Sequence, residues 1–164
     1  MQLFVSGSAG VETAARTAII LVFLISSLIC LRIVNSRQNR AEKLVRKNAY
    51  LTPQQFFREK HDSCGKKRKT KKDGEFEGVY ILYNTSRNKY YVGQSVHVFS
   101  RVNAHLTGHG NGDVYADYKY GDDFKIMLVP LCNSGYGNLN DLEREMIGAF
   151  DSCATGYNKT RGNR

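Results

Sequence analysis

Two β-rich runs joined by a short turn constrain the fold of this chain more than any other feature. The runs GVYILYN and KYYVG are separated by TSRN, a turn-like stretch, so residues 78–93 predict a β-hairpin. A helix is predicted to follow, with Ser95 as its N-cap and Gly108 just past its end. Val98, Val102 and Leu106 recur at helical spacing and would form the buried side of this helix.

The sequence after this helix predicts three more elements. VYADYKYG indicates a short helix, FKIMLVPL a third strand, and DLEREMIGAF a last helix capped by Asn140. In that helix Leu142, Met146 and Phe150 are predicted to face the core. The order ββααβα predicts an α/β fold, a small domain over residues 74–164 on a three-stranded, mainly antiparallel sheet.

An uncharged apolar run lies near the N-terminus. Thr17–Leu31 is rich in Ile, Leu and Val, and Arg16 and Arg32 beside it can snorkel. Residues 17–34 are therefore predicted to be a transmembrane anchor that follows a tail, residues 1–16. A cleaved signal peptide would need an early basic end and a small-residue cleavage site, which are not seen here. A buried core helix would carry an apolar stripe, whereas this run is apolar all round.

Positive charge is concentrated after the apolar run. Residues 32–72 hold 14 Lys and Arg against 3 Asp and Glu, whereas residues 73–164 hold 9 against 11. Residues 35–73 are therefore predicted to be a basic linker, partly disordered around CGKKRKTKKDG. Its charge suits contact with anionic lipid or with nucleic acid. Basic residues directly after a single-pass anchor also predict that the C-terminal domain lies in the cytoplasm.

The cysteines do not indicate a disulfide framework or a complete metal site. Cys30, Cys64, Cys132 and Cys153 are scattered and form no CxxC pair, which favours free thiols in a reducing compartment. His61 and Cys64 have the spacing of half a zinc site, but a second half with convincing spacing is not present.

Residues that can carry chemistry lie in the hairpin and at several positions after it. Gly78-Val79-Tyr80 is followed, after ten intervening residues, by Tyr91-Val92-Gly93. Arg101 and His105 lie four residues apart on one face of the next helix. Glu143 in the last helix and Asn158 in the tripeptide GYN come later. This pattern, over about residues 76–161, resembles the GIY-YIG nuclease superfamily, especially the catalytic modules of phage-type homing endonucleases.

The resemblance implies a nuclease that hydrolyses phosphodiester bonds. Its catalytic residues would be Tyr80, Tyr91, Arg101, His105, Glu143 and Asn158, and its substrate-binding residues Gly78, Lys89 and Gly93. Glu143 would hold Mg²⁺ or Mn²⁺, because one carboxylate can carry a cation that bridges to the phosphate. Arg101 would offer a planar fork of donors to the phosphate oxygens.

The other roles stay open at this point. Either tyrosine would orient or deprotonate the attacking water, His105 would relay a proton or bind phosphate, and Asn158 would fix the site through hydrogen bonds. Glu143 also lies three residues after Asn140, where a capping-box carboxylate would stand. The sequence thus predicts a membrane-anchored, metal-dependent endonuclease acting on DNA, with RNA left open as a substrate. The alternative is a non-catalytic module or basic adaptor that binds nucleic acid or a partner at the membrane.

Overall fold

The computed structural model describes residues 7–47, 49–65 and 75–162. The chain divides into two compact units, residues 1–39 and residues 40–164. The first helix, α1 (Gly7–Lys47), starts in the first unit.

Most of the first unit is an apolar helical segment. Thr13–Ser36 spans 24 residues and contains an 18-residue window with a mean hydropathy of 2.6, none of which is buried. Its apolar side chains are exposed, including Phe23 and Val22. The Thr17 hydroxyl donates to the carbonyls of Thr13 and Ala14, so this polar group is satisfied within the helix. By length and composition, the segment can cross a membrane.

The second unit contains the predicted sheet. Strands β1 (Gly78–Asn84), β2 (Lys89–Ser95) and β3 (Phe124–Pro130) are antiparallel in the order β2-β1-β3. The helices that follow β2 are α3 (Val98–Leu106) and α4 (Gly112–Lys119). After β3 come a 3₁₀ turn (Leu131–Asn133) and α5 (Leu139–Ala149). The predicted ββααβα order and the α/β fold on a three-stranded sheet are confirmed.

The sheet separates two apolar clusters. The first packs against α5 and contains Val79, Ile81, Val92, Met127, Val129, Leu142, Met146 and Ile147. The second is built with α3 and includes Tyr80, Leu82, Val98, Val102, Leu106, Val114, Phe124, Ile126 and Tyr157. Residues of β1 alternate between the clusters because successive side chains of a strand point to opposite faces. Tyr80 therefore lies on the α3 side of the sheet.

The predicted N-cap of α3 is wrong. β2 continues through Ser95, so α3 begins later, with His97 at its N-cap and no side-chain cap bond there. The Ser95 hydroxyl instead accepts a hydrogen bond of 2.9 Å from the His97 amide. The first-turn amides of a helix have no partner within the helix, and two of them here donate to the Glu75 carboxylate. These hydrogen bonds are 2.9 Å long for the Phe99 amide and 2.7 Å for the Ser100 amide. An acidic side chain thus stabilises the positive end of α3.

The predicted cap of α5 is also wrong. Asn138 is the N-cap, and its side-chain oxygen accepts a hydrogen bond of 2.8 Å from the Asp141 amide. Asn140 lies inside the helix, so Glu143 does not occupy the capping-box position. Phe150 follows the helix as its C-cap and is half-buried, with its ring 4.9 Å from that of Tyr90.

The prediction of a linker over residues 35–73 differs from the structure in its middle part. Leu51 bridges to Ile126 of β3, and α2 (Pro53–Gly65) follows. Phe56 of α2 is fully buried, and its ring stacks on that of Phe99 at 5.6 Å. Apolar side chains thus pack this stretch against α3 within the second unit. The Lys- and Arg-rich residues 66–74 lie outside the described residues.

Candidate active site

Tyr80 and Gly93, the tyrosine and glycine that end the two tripeptides, face each other across the hairpin. They are directly paired in the register of β1 and β2. A Cβ atom on Gly93 would lie 2.3 Å from the Tyr80 hydroxyl, so glycine is required to leave room for the phenol. A Cβ atom on Gly78 would lie 2.5 Å from the Val129 carbonyl, so glycine there permits the close approach of β3.

The His105 side chain is hydrogen-bonded to the Tyr80 hydroxyl in the interior of the domain. The imidazole is fully buried, with Nε2 3.0 Å from the Tyr80 hydroxyl. The backbone amide of Asn111 donates to Nδ1 at 2.8 Å. Nδ1 is therefore an acceptor, and the proton of the neutral ring is on Nε2. Burial, together with the charge of Arg101, lowers the pKa of His105 to about 4. His105 is therefore a neutral donor to the Tyr80 oxygen at neutral pH.

Tyr91 packs beside this pair. Its ring lies 4.7 Å from that of His105 and 6.2 Å from that of Tyr80. Burial raises the pKa of Tyr91, and the charge of Arg101 opposes this rise. Burial and the neighbouring Tyr91 raise the pKa of Tyr80 well above its ordinary value, although Arg101 again opposes. Both phenols therefore keep their protons at neutral pH.

Glu143 approaches from the opposite side of the sheet on α5. Its carboxylate is largely buried, and Oε2 accepts a hydrogen bond of 3.0 Å from Gln94 Nε2. Gln94 lies one residue after Gly93 and points to the α5 side, since it pairs with Val79 in the register. Because β2 is an edge strand, side chains from both faces of the sheet meet around it.

Asn158 fastens the segment after α5 to the edge of β2. Its side-chain oxygen accepts from the Val92 amide at 2.8 Å, and its Nδ2 donates to the Val92 carbonyl at 2.7 Å. The Tyr157 amide donates to the Tyr90 carbonyl at 2.9 Å. The amide side chain thus supplies both hydrogen bonds that a neighbouring strand would give to Val92.

A polar cleft of about 350 Å³ opens around β2. Five of the predicted catalytic residues and one predicted substrate-binding residue line it: Tyr80, Tyr91, Arg101, Glu143, Asn158 and Gly93. His105, Gly78 and Lys89 do not line it. The Lys89 ammonium lies 5.7 Å from the centre of the Tyr157 ring, and Tyr157 is a wall of the cleft.

Further cleft residues were missed from the sequence: Gln94, Asn111, Tyr157, Lys159 and Thr160. The spacing of an isolated Gln or Asn gives no sign of its contacts across the fold. The Asn111-Gly-Asp pattern before a helix did offer a signal, because the Asn111 side chain caps α4 by accepting from the amides of Asp113 and Val114.

The cleft suits a hydrated cation held by one carboxylate. Among the described residues, no three or more His, Cys, Asp or Glu gather in a group that could enclose a metal ion. The side chains of His61 and Cys64 lie outside the described part. Mg²⁺ needs no such cage, since it keeps several waters and binds one or two carboxylates together with substrate phosphates. Glu143, fixed by Gln94 at the wall of an open polar cleft, fits that pattern.

The hairpin, the flanking helices and the cleft at its edge strand define a small α/β domain with a polar site on one edge of its sheet. The family model of the GIY-YIG catalytic domain matches residues 76–158 of the sequence, so the chain belongs to the GIY-YIG family. Comparisons with curated proteins and with solved structures returned no match.

Proposed function

We propose that this chain is a membrane-anchored, divalent-metal-dependent endonuclease that cleaves phosphodiester bonds of DNA. The observation that carries the proposal is that Tyr80, Tyr91, Arg101 and Glu143 line one cleft. Membership of the GIY-YIG family supports the reaction type. A module that only binds nucleic acid has no need of two phenols, a guanidinium and a carboxylate at the same opening.

Glu143 is the proposed ligand for Mg²⁺ or Mn²⁺. A cation bound there would act as a Lewis acid on the phosphate and neutralise developing charge. Arg101 is exposed on α3 and lines the same cleft. Its planar guanidinium would bind two phosphate oxygens at once, which fixes the orientation of the scissile group.

The two phenols are proposed to orient the attacking water in their protonated form, because burial raises the pKa of each. His105 is proposed to act as a positioning residue. Both of its ring nitrogens are engaged, one with the Tyr80 hydroxyl and one with the Asn111 amide, so neither is left to bind a phosphate. Its donated hydrogen bond would aim a lone pair and the proton of Tyr80 toward the cleft.

The remaining predicted residues are proposed to support this arrangement. Asn158 holds β2 in place through Val92, and Gly93 leaves room for the Tyr80 hydroxyl. Gly78 serves the packing of the sheet. Lys89 would add positive charge near Tyr157 at the rim of the cleft.

Residues 17–34 are proposed to anchor the chain in a membrane as a single-pass helix, with the nuclease domain in the cytoplasm. The described helix is apolar over Thr13–Ser36, and residues 32–72 carry the excess of Lys and Arg. That excess favours the cytoplasmic side. The basic stretch is also proposed to contact anionic lipid or DNA through its charge alone.

A plasmid-nicking assay tests the proposal. The full-length protein in detergent should convert supercoiled DNA to nicked circles with Mg²⁺, and EDTA should stop the reaction. Glu143→Gln should lower the rate at least about 100-fold, because it removes the charge while keeping the shape. Glu145→Gln is the matched control: it makes the same change two residues along α5, at a position that does not line the cleft, and should nick normally.

Three results would change the conclusion. A folded protein that nicks neither DNA nor RNA would favour the non-catalytic module. Cleavage of RNA alone would change the substrate but keep the chemistry. Near-normal nicking by Glu143→Gln would overturn the metal assignment.

A further inference from the structure

We propose that Gln94 is a positioning residue that sets the orientation of the Glu143 carboxylate for the metal. The inference rests on the proposed function, since it concerns the carboxylate that would hold the cation. Gln94 is half-buried near the end of β2 and lines the cleft. The residues singled out from the sequence do not include it.

The Gln94 amide nitrogen makes two hydrogen bonds and has only two hydrogens. One goes to Glu143 Oε2 at 3.0 Å and the other to Asn140 Oδ1 at 2.7 Å. An ionised carboxylate can only accept, so the nitrogen of Gln94 must face Glu143. A flipped amide would set the Gln94 oxygen against the Glu143 carboxylate oxygen. The orientation of this side chain is therefore fixed by its partners.

Asn140 completes the arrangement from the same helix. It lies three residues before Glu143 in α5, so the two side chains share one face of the helix. Gln94 thus connects the edge strand to the first turns of α5 through two adjacent contacts. The carboxylate of Glu143 is thereby hydrogen-bonded to β2, which also carries Tyr91.

This geometry has a consequence for metal affinity. A carboxylate that is already held in one orientation loses less rotational freedom when it binds a cation. Hydrogen-bonding partners of metal ligands typically contribute about 10–100-fold in affinity or activity. Gln94 does not reach the reacting phosphate in this role, so its removal should weaken metal binding more than it slows the metal-saturated reaction.

Mn²⁺ binding to the full-length protein in detergent, followed by electron paramagnetic resonance, tests the inference. Gln94→Met keeps the length of the side chain but removes the donor, and should raise the Mn²⁺ dissociation constant about 10-fold or more. Gln54→Met, an exposed glutamine on α2, is the matched control and should bind like the parent.

A second pair of variants separates positioning from general stability. Asn140→Ala should weaken Mn²⁺ binding less than Gln94→Met does, because the donor remains but loses its second anchor. The double variant should bind no more weakly than Gln94→Met alone, since Asn140 acts through Gln94. In nicking assays, Gln94→Met should need about 10-fold more Mg²⁺ for half-maximal rate and recover most of the rate at saturation.

The outcomes are distinguishable. Mn²⁺ affinity of Gln94→Met within twofold of the parent would overturn the inference and leave the proposed function intact. The same would follow from a rate loss that extra Mg²⁺ does not relieve. Mn²⁺ binding by the parent that is unaffected by Glu143→Gln would overturn both the inference and the metal assignment.

Discussion

Position 93, which is paired with Tyr80 across the hairpin, has room for no side chain larger than that of glycine. The Cβ atom of an alanine at this position would lie 2.3 Å from the hydroxyl oxygen and 2.5 Å from the ring carbon that bears it. Tyr80 would have to move, and with it the hydrogen bond to His105. The same residue thus serves both the packing of the hairpin and the geometry of the cleft.

Gly93→Ala should lower the nicking rate about 100-fold, because displacements of about 1 Å in an active site have effects of that size. Overpacking should also cost about 1–3 kcal/mol of unfolding free energy. Gly148→Ala is the matched control: nothing lies within 4 Å of its added Cβ. Since Gly148 is inside α5, that change should stabilise by about 0.5–1 kcal/mol and leave nicking unaffected. Equal activity of the two variants would argue against a role for the Tyr80 position.

His105 makes stability depend on pH. Its pKa in the fold is about 4, below the ordinary value of 6.5, so the unfolded chain takes up the proton first as the pH falls. The contribution of neutral His105 is therefore fully present above about pH 6.5 and is lost toward pH 4. Unlike the exposed His97, this buried ring cannot be protonated without losing the hydrogen bond that its Nδ1 accepts.

Denaturant unfolding at pH 7 and pH 4.5 measures this effect. The parent should lose about 2 kcal/mol more than His105→Gln between the two pH values, because glutamine donates a hydrogen bond but does not titrate. His97→Gln changes an exposed histidine and should behave like the parent. If all three proteins lose the same free energy, the buried imidazole does not control acid sensitivity.

At the scale of elements, α2 shows how a local signal can be missed. Thr52 and Gln55 form a reciprocal capping box. The backbone amide of Gln55 donates to the Thr52 hydroxyl at 3.2 Å, and the backbone amide of Thr52 donates to Gln55 Oε1 at 2.8 Å. Pro53 is the first residue of α2, where proline is favoured. The sequence interpretation assigned this stretch to the basic linker over residues 35–73, so the capping signal was missed.

Phe56→Ala tests whether α2 is part of the folded domain. A fully buried phenylalanine that stacks on Phe99 should cost about 3–5 kcal/mol when truncated. Gln54→Ala, at an exposed position of the same helix, should change the unfolding free energy by less than about 0.5 kcal/mol. Chemical denaturation of the two full-length variants compares them directly. A loss below about 1 kcal/mol for Phe56→Ala would restore the linker interpretation.

The hairpin, the strands and the buried side of α3 could be predicted because they depend on local alternation and periodicity. The helix caps could not be placed with the same certainty. Asn138 and Asn140 are both good N-cap residues, and only the backbone decides: Asn138 is extended, with φ −149° and ψ 161°. Ser95 lost its cap role because its pairing with Gly78 extends β2 through it.

The family spacing selected six of the residues that line the cleft but not their partners. Gln94, Asn111 and Glu75 act through contacts 6 to 49 residues away in sequence. Such contacts depend on how strands and helices meet, so no short pattern reveals them. His105 shows the opposite case: its position was predicted, while its burial behind Tyr80 needed the fold.

At the scale of the whole molecule, charge and hydropathy are divided among segments. The apolar span has no buried side chains, the excess of Lys and Arg lies over residues 32–72, and residues 73–164 hold slightly more acidic than basic residues. The nuclease domain thus carries little charge to attract a polyanion by itself. The proposed anchor and basic stretch would instead place it near its substrate.

Carbonate extraction of membranes from cells that produce the full-length protein tests the anchor. A spanning helix should keep the protein in the membrane pellet at high pH, whereas a peripheral protein is released. Protease added to right-side-out cells should leave the C-terminal domain intact, because the basic residues favour the cytoplasmic side. Replacing Leu24 and Ile25 by Arg should release the protein, since a charge at the helix centre costs about 2.5–3.5 kcal/mol per residue. Release of the unchanged protein would rule out a spanning helix.

The two hydrogen bonds between Asn158 and Val92 form only late in synthesis, because Asn158 is made long after the apolar span. Asn158 leaves the ribosome roughly 120 residues after the apolar span ends, which takes about 6–24 seconds at 5–20 residues per second. Until then Val92 at the edge of β2 lacks both of its hydrogen bonds to Asn158, and one wall of the cleft has not been made. Any membrane that captures the apolar span during translation therefore receives a chain whose cleft is still incomplete, so the finished site would first exist where the chain is tethered.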